Sequence, residues 1–562
     1  MPTDFEPIPY RIRIGVTGHR KVADPDAMEA LVRAAIDSEI AKLFDAKSQA
    51  EMDRVRRKGV TAISYSALSP LAEGADRVAA RAILAYPGAR LDVVLPLSMD
   101  DYLEDFETEE SKLEFHELIG ESRRPVELRH RRIRDDRHDP DSQAELRKDC
   151  YKSAGQYVVD HCDLLIALWD GEPARGRGGT AEIVTYACEQ RRPVIRIWDG
   201  RFELYNPNDN NGLDATALNA IDLFNCRDIT EQQRSQYAAS LDGEYFVKPK
   251  AAAGIPGDVR ELVNHGLFPY YAQASLVAKR NQKRFFRAGL YTYLFSAAAV
   301  GCVAAAVLFP ALAEAGFGAE LALLVAIAWL QWRAHRTHAH QTWIESRFLT
   351  ERLRSGIFQA ICGIDPRPLD VLPFMGHSLT VNDWTVRVFD EIWNRLPRLP
   401  GCSHAECLNL NPYIREAWIG DQIRFHAKKS ASERRARLRL AGAARIVLPV
   451  TVAAAALHLL FGVVTGVGDE IAHVLHQSLT IIALMFPAVA ASLAGMEAHR
   501  EHLRLEKRSE NMAPQLQRLD HQLSSATDPI RFEDLMREAD ELMLRETQDW
   551  LMLMRYVDIR AS

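Results

Sequence analysis

The chain has 562 residues, too many for one ordinary domain, so two to four structural units are expected. Its net charge of −7 counts against a general nucleic-acid binder, which would be basic, and no direct nucleic-acid binding is expected. The mean hydropathy of −0.18 looks soluble, but this average hides a strong segregation of polar and apolar residues along the chain.

The N-terminus is polar and acidic, with no basic region leading into an apolar one, so no cleaved signal peptide is expected. Residues 1–200 alternate between β-branched runs and helix-length amphipathic stretches. The runs are Arg11–Val16, Val60–Tyr65, Leu91–Pro96, Asp163–Leu168 and Pro193–Trp198. The stretches lie at about 26–50, 73–86, 101–122, 142–161 and 180–190, and Ser98 with Asp101 forms a capping box for the third. This alternation predicts an α/β, Rossmann-like, doubly wound parallel sheet. Residues 201–275 are mixed, with "NPNDNNG" (206–212) as a turn-rich break, and read as an elaboration or linker.

An all-α membrane domain is predicted next. Gly289–Phe309 is uncharged over a length sufficient to cross a bilayer; Phe317–Trp332 is a shorter apolar run with Glu320 near its start. Ile446–Gly468 and Ile471–Met496 are two more uncharged runs. The flanks "KRNQKRFFR" (279–287), "RAHR" (333–336), "KKSASERRARLR" (428–439) and "HREHLRLEKR" (499–508) are basic, whereas the turns "PALAEAGFGAE" (310–320) and "DE" (469–470) carry no lysine or arginine. By the positive-inside rule both hairpins have their ends in the cytoplasm, as do both termini and the α/β domain, and the membrane is expected to be an inner one. Each hairpin leads into a long charged helix, and "AHR" recurs at Ala334–Arg336 and Ala498–Arg500, so a two-span unit is read as duplicated. The units are then 276–360 and 431–525, separated by a soluble insert at 361–430 and followed by an amphipathic helix in 526–562. Four spans are few for a pore, so a pore requires a homo-oligomer. Thr292, Tyr293 and Ser296, His458, and His476, Ser478 and Thr480 are polar residues within spans. They line a water path, or they make interhelical hydrogen bonds or headgroup contacts.

Three stretches carry candidate chemistry. In "RIGVTGHR", Gly15 and Gly18 permit a sharp turn at the end of strand one, Thr17 adds a hydroxyl, and His19 and Arg20 add cationic groups. This is either an anion cradle or a tight β–α turn with surface cations. In "SPLAEGADRVAARAIL" (69–84), Glu73, Gly74, Asp76 and Arg77 stand at a second strand-to-helix junction; Asp76 can accept hydrogen bonds from hydroxyls or a base edge, or simply favour the helix dipole. After "DLLIALWDG", which ends in Asp170 and Gly171, "RGRGGTAEIVTYA" supplies Arg175, Arg177, Gly178, Gly179, Thr180 and Glu182, a glycine pair before a threonine-capped helix. In a doubly wound sheet all three share the carboxyl edge. No metal is expected, because "CSHAEC" (402–407) has no second ligand pair at structural-zinc spacing.

"AEGADRVAARAI" resembles the glycine–acid signature of the SLOG superfamily, the Rossmannoid domains of DNA-processing protein A and LOG proteins. "GGTAE" resembles the "PGGxGTxxE" motif of LOG and lysine-decarboxylase-like proteins, with Thr180 and Glu182 at the motif's threonine and glutamate. The motif's proline is absent here. The two-span units resemble the SLATT family, effectors found with SLOG domains in bacterial conflict systems, and SLOG-like domains also occur on melastatin-type cation channels. The resemblance implies a nucleotide-derived ligand, no other cofactor, and ligand sensing coupled to a pore in antiviral defence. The alternative it leaves open is a membrane-anchored nucleotide N-glycosidase or phosphoribohydrolase with Glu182 as its catalytic carboxylate.

Overall fold

The computed structural model describes residues 5–40, 61–122, 125–128, 140–173, 178–205, 216–226, 229–366, 383–397, 408–464 and 470–555. Arg175, Arg177, the "NPNDNNG" break and the Cys402–Cys407 segment lie outside them. In chain order the elements begin β1 (Tyr10–Gly18), α1 (Pro25–Glu39), β2 (Ile63–Ser69), α2 (Ala75–Leu84), β3 (Arg90–Leu95), α3 (Met99–Leu103) and α4 (Glu109–Glu121). They continue with β4 (Val126–Glu127), α5 (Pro140–His161), β5 (Leu164–Leu168), α6 (Thr180–Glu189), β6 (Val194–Trp198), β7 (Arg201–Tyr205) and α7 (Thr216–Asn225). The remaining helices are α8 (Glu231–Asp242), α9 (Gly257–Gly266), α10 (Phe268–Leu308), α11 (Ala313–Thr337), α12 (Ala339–Ile361), α13 (Trp384–Arg395), α14 (Gly420–Val464), α15 (Glu470–Arg500), α16 (His502–Ser524) and α17 (Pro529–Arg555).

Two compact units result. One is the α/β unit, Glu6–Asp228 with Leu379–Arg395; the other comprises Met1–Phe5, Ile229–Ser378 and Leu396–Ser562. The α/β unit holds a seven-stranded sheet in the order β4-β3-β2-β1-β5-β6-β7. All pairings are parallel except β6 with β7. β5, "LLIAL", is buried at every position, as a central parallel strand covered on both faces requires. The antiparallel edge strand β7 follows a two-residue turn in which Asp199 (φ 52°) and Gly200 (φ 68°) both adopt positive φ, the hairpin geometry that such a dipeptide favours. Ser98 starts α3, but its hydroxyl donates to the Asp101 carboxylate (3.0 Å) instead of capping the backbone, because both side chains are buried together. The long third helix expected from the sequence is broken there, and Thr108 caps the continuation α4 by accepting from the Ser111 N–H (3.1 Å).

The sequence between the two membrane hairpins contributes α13 to the α/β unit, at the amino edge of the sheet. Arg387 donates to the Arg11 carbonyl (3.1 Å) and to the Asp163 carboxylate (3.0 Å to Oδ2), and Asp163 also accepts from the Arg13 N–H (2.8 Å). Glu391 takes both Arg11 (2.9 and 3.0 Å) and Arg90 (3.0 Å). Burial alone would raise the Asp163 carboxyl, but the attraction of Arg387 and Arg13 holds it below the usual range.

The second unit is helical, and four of its helices are long and apolar enough to cross a membrane. It repeats one series twice: α10, α11 and α12 have 41, 25 and 23 residues, and α14, α15 and α16 have 45, 31 and 23. In both halves the helix after the second span breaks at a non-glycine residue in the left-handed region, His338 (φ 44°) and Glu501 (φ 51°), just beyond the two "AHR" sequences. Leu321, Val325, Leu448 and Leu459 are exposed along the apolar helices, as lipid-facing side chains are. Contacts between spans are made by small and polar groups. Gly495 lies against the Tyr293 ring, Ser492 donates to the Tyr293 carbonyl (3.1 Å), and Thr480 bonds His458 Nδ1 (3.0 Å). His458 in turn stacks on His476 with centroids 4.0 Å apart. These intramembrane polar groups therefore join helix to helix. Ser478 instead donates to the Val474 carbonyl of its own helix (2.8 Å).

Candidate functional site at the carboxyl edge

The chain runs outward from β1 through β2, β3 and β4, then returns to β5 on the other side of β1. That reversal opens a crevice at the carboxyl ends of β1 and β5, where ligands of such sheets bind. Gly18 ends β1 and His19 follows it, and Asp170 and Gly171 lie just beyond β5. The His19 N–H donates to the Leu168 carbonyl (3.2 Å) and the Ala75 N–H to the His19 carbonyl (3.0 Å), so the turn after β1 is hydrogen-bonded to both neighbouring stretches.

Gly74 carries φ +81°, and a Cβ there would lie 2.2 Å from the Arg20 carbonyl oxygen, so no side chain fits. Gly18 allows an equally close approach, since its Cβ would meet Ala75 Cβ at 2.5 Å. Gly15 lies further down β1, pressed against Val158 of α5 and Cys162 just beyond it, and packs the sheet against that helix. Thr17 is half-buried at the strand end.

The second stretch is more buried than its sequence indicates. Arg77 is only 2% exposed; it donates to the Leu71 carbonyl (3.1 Å), Ser111 (2.8 Å to the carbonyl) and Glu114 (2.7 Å), and its guanidinium lies 4.6 Å from the Phe106 ring centroid. It braces the loop. Glu73 accepts from the Ser111 hydroxyl (2.5 Å) and the Glu107 N–H (3.3 Å). Asp76 accepts from the Ala72 N–H (3.2 Å), and burial pushes its carboxyl up to about 7 despite that bond, one from Ser69, and the nearby Arg77 and Arg20.

In the third stretch the helix cap is Gly179, with Thr180 as the first helical residue and no side-chain cap; Gly179 has the extended backbone of an N-cap (φ −76°, ψ 161°). Glu182, the candidate for catalysis, accepts from the Gly178 N–H (2.8 Å) and pairs with Lys152 (2.6 Å). Its carboxylate closes the glycine loop. Gly171 (φ +90°) leaves room for Arg196, which donates to the carbonyls of Trp169 (3.1 Å) and Asp170 (2.7 Å).

Three side chains that sequence reading did not single out complete the edge. Tyr151 of α5 lies beneath Arg20 (5.8 Å, guanidinium to ring centroid), packs against Gly178 and donates to Asp105, so it joins the first stretch to the third. Tyr102 of α3 is buried with its hydroxyl unpartnered, and burial among Tyr151 and Asp76 raises its phenol. Trp198 is 44% exposed and meets His19 edge-on (5.6 Å), while His19 Nε2 stands 3.3 Å from Asp170 Oδ1. Of these three, only Trp198, at the end of a strand in the expected sheet, had a positional signal; the tyrosines belong to helices distant in sequence.

The edge thus offers the Arg20 guanidinium and the His19 imidazole at its mouth, the imidazole Nε2 accepting from the Asp170 N–H (3.3 Å), with an exposed indole beside them and a buried carboxyl with a nearby unpartnered phenol. Part of the amide surface that would hold an anion is already occupied, by the His19 carbonyl at α2 and by Glu182 at Gly178. No family model, no curated protein and no solved structure matches the chain.

Proposed function

We propose that the protein is a membrane-embedded sensor–effector whose α/β unit binds a nucleotide-derived signal at the carboxyl edge and thereby opens or assembles a pore. The observation that carries this reading is the meeting of three glycine-bearing stretches at the β1–β5 reversal, with His19, Arg20 and Trp198 beside one another. The Arg20 guanidinium suits phosphate and an exposed indole suits stacking with a base. The motif resemblance to SLOG domains points to the same ligand class. The role of Glu182 as a loop clasp favours sensing over the hydrolase alternative.

Chain connectivity supports coupling. The segment between the two membrane halves contributes α13 to the α/β unit, so both halves are joined covalently to the ligand-binding fold. Ligand binding would bias an equilibrium of the helical unit, which in several copies forms the pore. In this reading the α/β unit and both termini are cytoplasmic and the membrane is an inner one, which the basic flanks of the spans support. A setting in antiviral defence rests on the resemblance to SLATT effectors. The test is dye release from liposomes carrying the full chain, challenged with ADP-ribose, cyclic nucleotides and short oligonucleotides. Leakage with one class, lost in Arg20→Ala, is expected; no ligand-dependent leakage across the panel counts against the reading.

A further inference from the structure

A second cationic site lies in the helical unit. Five helices, α10, α12, α14, α16 and α17, with the last residue of α15, enclose a 140 Å³ cavity next to the break at Glu501. Four cations and two carboxylates line it. Glu433 is already held by His502 (2.5 Å) and Lys429 (2.5 Å), and Glu546 by Arg508 (2.7 Å). Among the lining groups four positive ones less two negative ones leaves two, with the carboxylates of Glu351 and Asp549 acting on Arg508 from outside the lining.

The surplus belongs to identifiable groups. Arg347 lies over the Trp550 ring (4.6 Å) and Arg500 over the Phe286 ring (5.2 Å), and neither forms an ion pair among the described residues. A guanidinium stacked on a ring keeps its in-plane N–H edge for another acceptor. Two buried nitrogens point the same way: Arg508 Nε and His426 Nδ1 are shielded from solvent and have no hydrogen-bond partner, and His426 is only 3% exposed. Arg508 Nε is an orphaned buried donor, costly beside surplus positive charge unless an anion completes it, and His426 Nδ1 is a second unpartnered nitrogen whose role follows its tautomer. The cavity is smaller than the roughly 300–1,000 Å³ of a drug-sized site, so it suits a small anion or the head of a larger molecule.

We infer that this cavity binds a phosphate group, with Arg347 and Arg500 as its principal donors. Arg347 belongs to the first repeat, and Arg500, Arg508 and His426 to the second, so the bound phosphate ties the two halves of the membrane unit together at their basic ends. The inference does not depend on what the sheet edge binds. Phosphate can come from a free anion or from the headgroup of an anionic lipid.

The experiment uses the full chain in phosphatidylcholine nanodiscs, with thermal melting read during titration by inorganic phosphate and by pyrophosphate, and a parallel set of discs containing phosphatidylglycerol. A saturable rise in Tm is expected. Each guanidinium lost should weaken apparent affinity about tenfold, so R347Q/R500Q should abolish the rise over the same range, and R347K/R500K should retain part of it. Because Arg500 is exposed, R500Q alone keeps the test available if the double variant does not fold. A rise with phosphate in phosphatidylcholine discs identifies a free anion, and a rise only with phosphatidylglycerol identifies a lipid. No rise in any arm, or an unchanged rise in R347Q/R500Q and R500Q, overturns the inference.

Discussion

The two edges of one sheet are built by opposite rules. At the amino edge the named charges are paired within the fold: Arg387 with Asp163, and Arg11 and Arg90 with Glu391, the two carboxylates nearly buried and Arg90 23% exposed. At the carboxyl edge Arg20 is exposed, His19 is half-buried, Asp76 is buried against its charge preference, and the Tyr102 hydroxyl has no partner. Charges satisfied from within the fold lock a structure. Groups left under-satisfied around a crevice are the ones available to a ligand.

The contrast is most easily broken at its locked end. Arg387→Ala would leave Asp163 buried without its cation, a change that typically costs about 3–5 kcal/mol, and thermal or denaturant unfolding of the α/β unit should show a loss of that order. A loss below about 1 kcal/mol, as at an ordinary surface site, would mean the amino edge is not a locked network. Gly74→Ala comes next. Its positive φ and the contact with the Arg20 carbonyl should cost about 1–3 kcal/mol, measured by the shift in denaturant midpoint.

A third prediction separates the edges by pH. The Asp76 carboxyl stands at about 7 in the folded protein and near 3.8 when unconstrained. Between those values the folded state holds a proton that the unfolded state has released, so this group's contribution to stability falls as pH rises from about 4 to about 7 and is flat above. The slope is at most about 1.4 kcal/mol per pH unit. Asp76→Asn should remove that slope, as measured by the difference in unfolding free energy between the two proteins across pH 4–8. An equal slope in both would show that Asp76 titrates normally. The smallest effect on stability is expected for Arg20→Ala, within about 0.5 kcal/mol because the side chain is exposed, followed by Trp198→Ala, whose indole is 44% exposed. Their loss should appear in ligand binding instead.

The alternation of apolar runs made the sheet and the four apolar helices legible, since period and length alone decide them. β2 is displaced, however, from the expected Val60–Tyr65 to Ile63–Ser69, because its buried face carries Ser66 and Ser69 and does not read as apolar. β7 lies in the stretch read as an elaboration or linker, and the turn that forms it, Asp199-Gly200, carries too short a signal to announce a strand. α13 could not be assigned to the α/β unit from sequence: Arg387 and Glu391 look like ordinary helix surface, and Asp163 lies 224 positions away. At the site, the glycines were legible through the turns they permit. The burial of Asp76 and Arg77 and the arrival of Tyr102 and Tyr151 were not, because tertiary packing alone brings them there.

Hydrogen–deuterium exchange on the full chain in nanodiscs, with and without a panel of nucleotides, tests the division between the edges most directly. One nucleotide class should slow exchange at residues 17–20, 73–76 and 178–182 and leave residues 10–13 and 384–395 unchanged. Protection confined to the amino edge, or none at the carboxyl edge with any member of the panel, would contradict it.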